Sequence, residues 1–464
     1  MDLAAEGRCW DPDAVHLELA PSSVAREPIA VEVARGAALR RLRLSLGEAT
    51  RALQLRVPLV GAFERWHFGW LLAAATSGES LKDPLLPLGA STATAGSALA
   101  AELESAGAVA TAAADVAAQL SRGAQREAEA LVAARQRALA GSGGRDGRDG
   151  LAIELTVAEG GLAHVTWPGA DAPLKLGAEH LAKLRTMHER VRVAAWQAGG
   201  GSGGSGSSGG SGGCSGGDGG DVEQRFRHDL ARLLLRYKAL GGSGFQAALG
   251  GAAHASLRSG FGCGLECFAS PLNARSAPFC SGFVDVDAPF GSLGSFLDFS
   301  PTEGSFEANP PFAPALVVAM AAHMQRLLRR AERNARPLLF AVVVGSSSAM
   351  KASEAWAALQ RLASGEFGRA QWVVPLQHHG YTEGHAHIAK GGAREATKMS
   401  SCESTVFLLA SSAAAARWPV TPAKEATLRA AMRSTIPRNL HRATKANAKV
   451  HRQRIKLKKS KAKR

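Results

Sequence analysis

The residues best suited to chemistry are Asn309-Pro310-Pro311-Phe312, at the end of the string Gly304-Ser-Phe-Glu-Ala. Two consecutive prolines stop an extended segment and stiffen the loop that follows it. A stiff loop holds oxygen acceptors in fixed directions. An exocyclic adenine amine is a substrate that needs them, because its lone pair is delocalised into the ring and it is a poor nucleophile. The Asn309 side-chain oxygen and the Pro310 carbonyl, aimed at the two amine hydrogens, would draw the nitrogen toward tetrahedral geometry. Phe312 would stack on the purine face. Such a site works by positioning and preorganised electrostatics and requires neither a metal nor a covalent nucleophile. The plain alternative for the same string is a turn with no chemistry.

A loop of this kind needs a strand before it and a helix after it. Gly304 to Ala308 reads as the strand. The helix is marked by Leu316, Met320, Met324, Leu327 and Leu328 on one face, with Arg326, Arg329 and Arg330 toward its C-terminal end, where the helix dipole favours them. Further strands are expected at Gly264 to Phe268, Gly282 to Val286, Leu338 to Val344, Trp372 to Leu376 and Thr405 to Leu409. Strands alternating with helices predict an α/β fold with a largely parallel sheet, whose ligands bind at the carboxyl ends of its strands.

Upstream, the texture is helical. Ala98 to Ala140 reads as one or two helices and Gly177 to Ala198 as another, with Leu151 to Val157 and Leu162 to Trp167 as a hairpin around Glu159-Gly160-Gly161. Trp66 and Trp70 read as core. The Gly/Ser-rich stretch within 199–221 cannot bury a core and reads as a linker or a loop insertion. The expected organisation is a mainly helical domain over 1–198, that stretch, an α/β domain over 222–436 and a basic tail over 437–464. Val222 to Leu240 is helical, with Phe226, Leu230, Leu233 and Leu234 in phase.

Twelve of the net fifteen positive charges lie in Pro437 to Arg464, which has no Asp or Glu, leaving three on the rest of the chain. A basic tail binds a polyanion by counterion release without reading its sequence. Arg452 to Arg464 also suits nuclear import, so the expected location is the nucleus; a solvated tail without a partner is the plain alternative. No apolar run reaches the length of a membrane span, and the start Met1-Asp2-Leu3 lacks a secretory signal pattern. Cys9, Cys214, Cys263, Cys267, Cys280 and Cys402 are few and scattered, which fits a reducing compartment.

Several blocks resemble the cap-specific adenosine N6-methyltransferase family of the phosphorylated-CTD-interacting-factor type. They are Leu-Leu-Leu-Arg-Tyr-Lys at 233–238, Glu-Cys-Phe-Ala-Ser-Pro-Leu-Asn at 266–273, Phe279-Cys-Ser-Gly-Phe, Asp285-Val-Asp287, Phe290-Gly291-Ser292, Asp298-Phe299 and Gly-Ser-Phe-Glu-Ala-Asn-Pro-Pro-Phe at 304–312. Weaker matches are Val374-Pro375, His379, Tyr381, Gly384, His387, Lys390, Thr405-Val-Phe-Leu-Leu and Trp418-Pro-Val-Thr-Pro422. The resemblance implies a Rossmann-like methyltransferase core packed on a helical domain, S-adenosyl-L-methionine as donor, and capped mRNA or another RNA as substrate. It implies that methylation falls on the 2′-O-methyladenosine next to the cap, with Asn309, Pro310, Pro311 and Phe312 as catalytic loop. Three departures stand out. No WW domain is read here, so nothing supports that route to the transcription machinery. Gly345-Ser-Ser-Ser-Ala stands where the animal family has Ile-Pro-Glu-Trp. The region up to Ala198 resembles the family's helical domain only in general character.

No clean Gly-x-Gly-x-Gly follows the first expected strand of the core, so the expected donor contacts are Glu266 and the turn Ala269, Ser270, Pro271 and Asn273. Asp285 and Asp287, as acids closing the next strand, are candidates for the ribose hydroxyls, or else for a turn or cap. Arg275, His379, Tyr381, His387 and Lys390 are the expected substrate contacts. The family resemblance places the last four in a loop beside the substrate. The histidines from His378 to His387, with Cys402, could alternatively bind zinc or form an ordinary surface loop. Cys263, Cys267 and Cys280 read as buried thiols rather than ligands, and no metal is expected.

Overall fold

Alanine, leucine and tryptophan at helical spacing build the first body of the protein, in a computed structural model that describes residues 27–55, 59, 61–76, 83–87, 92–141, 151–159, 161–198, 218–241, 247–311, 313–383 and 397–436. The expected Gly/Ser-rich stretch, up to residue 217, and the tail 437–464 therefore lie outside the described residues, as do Phe312, His387 and Lys390.

The body holds α1 (Ile29–Ala52), α2 (Ala62–Thr76), α3 (Ala93–Ser105) and α4 (Ala110–Gly141). The Ala98–Ala140 region, read as one or two helices, is two, parted at Gly107, whose φ of 107° closes the first. Trp66 and Trp70 are buried in this core, as read. The expected hairpin forms as β1 (Glu154–Val157) and β2 (Leu162–Thr166). β3 (Leu174–Gly177) makes a third strand that sequence reading missed; it is four residues long and too short to show a period. Next come α5 (Ala178–Ala198) and α6 (Asp218–Leu240). One apolar cluster runs from Ile29 through α6 to Phe290 and includes Leu272, Ala274, Ala277 and Phe279.

Buried charges cross-link this body. Arg35, fully buried, pairs with Glu27, Glu32 and Asp83, and Arg135 pairs with Glu27 and Asp83. Arg236 on α6, also fully buried, donates to Glu32 at 2.6 Å and to Asp285 at 2.6 Å. Each guanidinium fork is matched by carboxylates, the condition under which buried charge is tolerated.

The α/β part starts with β4 (Ala247–Ala248), α7 (Gly251–Phe261) and β5 (Leu265–Glu266). The segment Gly282–Val286, expected as a strand, contains α8 (Val284–Asp287) instead. Phe283, Val286 and Asp287 are buried while Val284 is exposed, a three-and-four spacing that turns one helical face to α6; the alternation of apolar and acidic residues had imitated a strand. β6 (Gly304–Ala308), α9 (Pro314–Arg333) and β7 (Leu338–Gly345) follow, as expected. Then come α10 (Ser348–Lys351), α11 (Glu354–Ser364), β8 (Gly368–Val374), β9 (Gly380–Glu383), β10 (Thr397–Met399), β11 (Ser404–Ala410) and the helices Ser412–Arg417 and Pro422–Ser434. Pro375, which has no N–H for a ladder, ends β8 before the expected Leu376.

The main sheet has the order β5-β6-β7-β11-β8. β5, β6 and β7 pair in parallel, and β11 lies antiparallel between β7 and β8. Four strands therefore share one direction and one opposes them, so the sheet is mixed rather than largely parallel. Alternation along β7 serves two cores. Leu338, Phe340, Val342 and Val344 pack with α9 and α11, while Leu339, Ala341 and Val343 pack with α7 and Pro422–Ser434. A sheet covered on both faces needs this double-sided apolar run. Beside it, β4, β9 and β10 form a small antiparallel sheet.

Candidate active site

Asn309 follows directly on β6, at the carboxyl end of a strand whose parallel neighbours β5 and β7 end on the same edge. The side chain is 6 % exposed. Its Nδ2 donates to the Ala247 carbonyl on β4 at 2.8 Å, while its Oδ1 is buried with no hydrogen-bond partner among the described residues. A buried acceptor left without a donor costs on the order of 1–3 kcal/mol, and an incoming N–H relieves that cost. Pro310 and Pro311 then carry the chain to α9; the Pro311 carbonyl accepts from the Ala313 N–H at 2.7 Å, which fixes the loop's exit.

Period two puts Glu307 on the same face as Asn309. Glu307 stands in register with Glu266 on β5, and both are buried. Burial, and then the neighbouring Glu266, holds the Glu307 carboxyl well above the usual range. Its Oε1 has no partner among the described residues. Glu266 is anchored: its Oε1 accepts from the Arg275 backbone N–H at 2.6 Å, and its Oε2 lies 3.6 Å from His254 Nε2. Burial lowers the His254 pKa. Sequence reading passed over Glu307; its signal was its place two residues before Asn309 on a strand with one polar face.

The expected donor turn leaves the carboxyl end of β5. It is braced within itself: Asn273 Oδ1 accepts from the Ser270 N–H at 2.7 Å and from its hydroxyl at 3.0 Å, and the Ala274 N–H donates to the Ser270 carbonyl at 2.8 Å. Ala269 is held by its N–H on the Cys280 carbonyl at 2.9 Å, and Pro271 is buried.

Asp285 and Asp287 do not close a strand. Both sit on α8 and turn to α6. The Arg236 guanidinium keeps Asp285 ionised against the effect of burial. Asp287, fully buried, accepts from the Tyr237 hydroxyl at 2.8 Å, and burial pushes its pKa up to about 7. Their structural partners thus come from the helical body.

His379 and Tyr381 meet at one hydroxyl. His379 Nε2 lies 2.7 Å and Tyr381 Oη 2.5 Å from Ser404 Oγ, and His379 Nδ1 lies 3.1 Å from the Pro375 carbonyl. Both are buried, so these polar atoms bind β9 to β11 rather than face outward. Thr382 on β9 pairs with Ala248, next to the Ala247 that holds Asn309, so the hairpin and the loop at Asn309 are joined through β4. Cys263, Cys267 and Cys280 are free and buried, and burial raises all three thiol pKa values, which leaves them protonated. Among the described residues no cluster of three or more His, Cys, Asp or Glu has the arrangement of a metal site.

With this geometry in view, comparison with known proteins becomes specific. Residues 217–384, from α6 to β9, match the family described as the phosphorylated CTD interacting factor 1 WW domain. The chain is 36 % identical over 219 residues to the human protein named mRNA (2′-O-methyladenosine-N(6)-)-methyltransferase, and 36 % identical over 219 residues to the mouse protein of the same name. In both cases the similarity covers 46 % of this chain and 30 % of the relative, so the chain spans about a third of the length of the curated relatives it matches. The resemblance read from the residue blocks is thereby supported by whole-segment similarity.

Proposed function

We propose that the protein is an S-adenosylmethionine-dependent RNA methyltransferase acting on the 6-amino group of adenosine, with the 2′-O-methyladenosine beside an mRNA cap as its substrate. The observation that carries this reading is the Oδ1 of Asn309, buried at the carboxyl edge of the sheet with no partner among the described residues. An acceptor in that state suits an incoming N–H such as that of an exocyclic amine. The four co-directional strands support a Rossmann-like core with ligands at their carboxyl ends.

The residues present fit the donor. S-adenosylmethionine supplies an electrophilic methyl group on a sulfonium. Glu266 and the braced turn Ala269, Ser270, Pro271 and Asn273 would hold it, one strand away from Asn309. Asn309 Oδ1 and the Pro310 carbonyl orient the amine and weaken its conjugation with the ring, and Phe312 is assigned to the base. The protein's contribution is preorganisation: the Nδ2 bond to Ala247 sets the direction of Oδ1 before substrate arrives. Arg275, His387 and Lys390 are assigned to the transcript, and the tail 437–464 to non-specific RNA binding and nuclear import.

Methyl transfer to capped and uncapped adenosine-start RNA oligonucleotides tests the reading. Faster methylation of the capped oligonucleotide is expected. Equal rates would move the substrate to internal adenosines in RNA or to adenines in DNA, and no transfer to any adenine would remove the reading.

A further inference from the structure

We infer that Lys183, on helix α5 of the helical body, is a positioning residue for the methyl donor: its ammonium fixes the turn after β5 from outside the sheet. The inference rests on the donor assignment above. It adds a residue that lies outside the segment matched by the family comparison, 217–384.

The turn from Ser270 to Asn273 satisfies most of its own polar groups through the Ser270–Asn273 bonds described above. The carbonyl of Leu272 is met from elsewhere: Lys183 Nζ donates to it at 3.3 Å. Lys183 is 3 % exposed, an unusual depth for a lysine. Burying an ammonium is unfavourable unless it is met by polar partners, and the Leu272 carbonyl is one of the partners of this one. The Leu272 side chain is 1 % exposed and packs in the core of the helical body, as do Ala274, Ala277 and Phe279. Neither sheet core contains them. The turn is thus attached to the helical body twice, by its apolar side chain and by its carbonyl. Asn309, by contrast, is attached to the sheet and to β4. The turn thus stands between the two parts of the fold: the Arg275 N–H bond to Glu266 ties it to β5 and so to the Asn309 half of the site, and Lys183 ties it to the helical body.

The test uses the full chain with S-adenosylhomocysteine as calorimetric probe, alongside steady-state methyl transfer. K183M keeps the length of the side chain and removes its charge and donors. The expected result is about tenfold weaker S-adenosylhomocysteine binding and a raised KM for the donor, with kcat and the KM for RNA little changed; K183R is expected to restore most of the affinity. A purely structural role would lower the melting temperature without this split. If K183M does not fold, K183Q takes its place, with a loss of about threefold expected. Affinity within twofold of the unmodified chain in a folded K183M or K183Q overturns the inference while leaving the proposed function intact. Failure of the unmodified chain to bind S-adenosylhomocysteine overturns both.

Discussion

Asn309 and Ala247 are joined by a 2.8 Å hydrogen bond that uses the amide nitrogen of the one and the carbonyl of the other, leaving the Asn309 oxygen buried and without a donor among the described residues. That division of labour between the two ends of one amide makes Asn309→Ala informative. The substitution removes the acceptor and the anchor together. Turnover is expected to fall at least ~10²-fold, the scale seen when one preorganised group is lost from an active site, while S-adenosylhomocysteine affinity stays within about threefold of the parent. A near-parental kcat in a single-turnover assay would show that another group receives the amine.

Asp287 predicts a pH dependence of stability. Its folded pKa, about 7, lies above the ordinary aspartate value, so the folded chain keeps a proton that the unfolded chain releases. Its contribution is fully present below the unfolded pKa and is lost as pH rises through about 7. Asp287→Asn removes the titration and keeps an acceptor for Tyr237. The variant should gain on the parent between pH 4 and 8, by up to about 4 kcal/mol. Parallel urea midpoints across that range would disprove the assignment.

Arg236 holds Glu32 and Asp285 together inside the helical body. Arg236→Met takes the guanidinium from the half-buried Asp285 and leaves the buried Glu32 with Arg35, and a loss of about 3–5 kcal/mol in chemical denaturation is expected. Adding Glu32→Gln and Asp285→Asn should recover most of it, because the cost lies in uncompensated charge. A triple variant no more stable than the single one would place the cost in packing instead.

The tail tests separately from the core. Removing 437–464 takes away twelve cations. The slope of log affinity for RNA against log salt should become shallower by several units. Transfer to a short capped oligonucleotide should persist. An unchanged slope would show that the tail does not meet phosphate, and nuclear accumulation of a reporter fused to the tail would check the proposed import role.

Much of the sheet was legible because its strands carry signals that do not depend on distant partners. Leu338 to Val344 is a continuous apolar run and Gly304 to Ala308 ends at two prolines, and both form the strands expected. The segment around Asp285 and Asp287 was misread because its alternation satisfies two periods over so short a span. Which one wins depends on whether a helix face or a sheet edge is waiting, and here α6 was waiting. His379 and Tyr381 carry polar groups that sequence reading turned toward a transcript; packing turned them toward Ser404.

By itself the sequence determined the chemistry on offer: an amide oxygen and a carbonyl in a proline-stiffened loop, a strand before it, an amphipathic helix after it, and a cationic tail. These follow from local covalent geometry and short-range periodicity. The tertiary structure decided which end of the Asn309 amide remained available, that Glu307 lies beside Glu266, that β11 runs against its neighbours, and that the turn at Leu272 answers to Lys183 some ninety residues earlier. Those outcomes depend on which buried donors find which acceptors across long sequence separations, a competition settled only when the whole core closes.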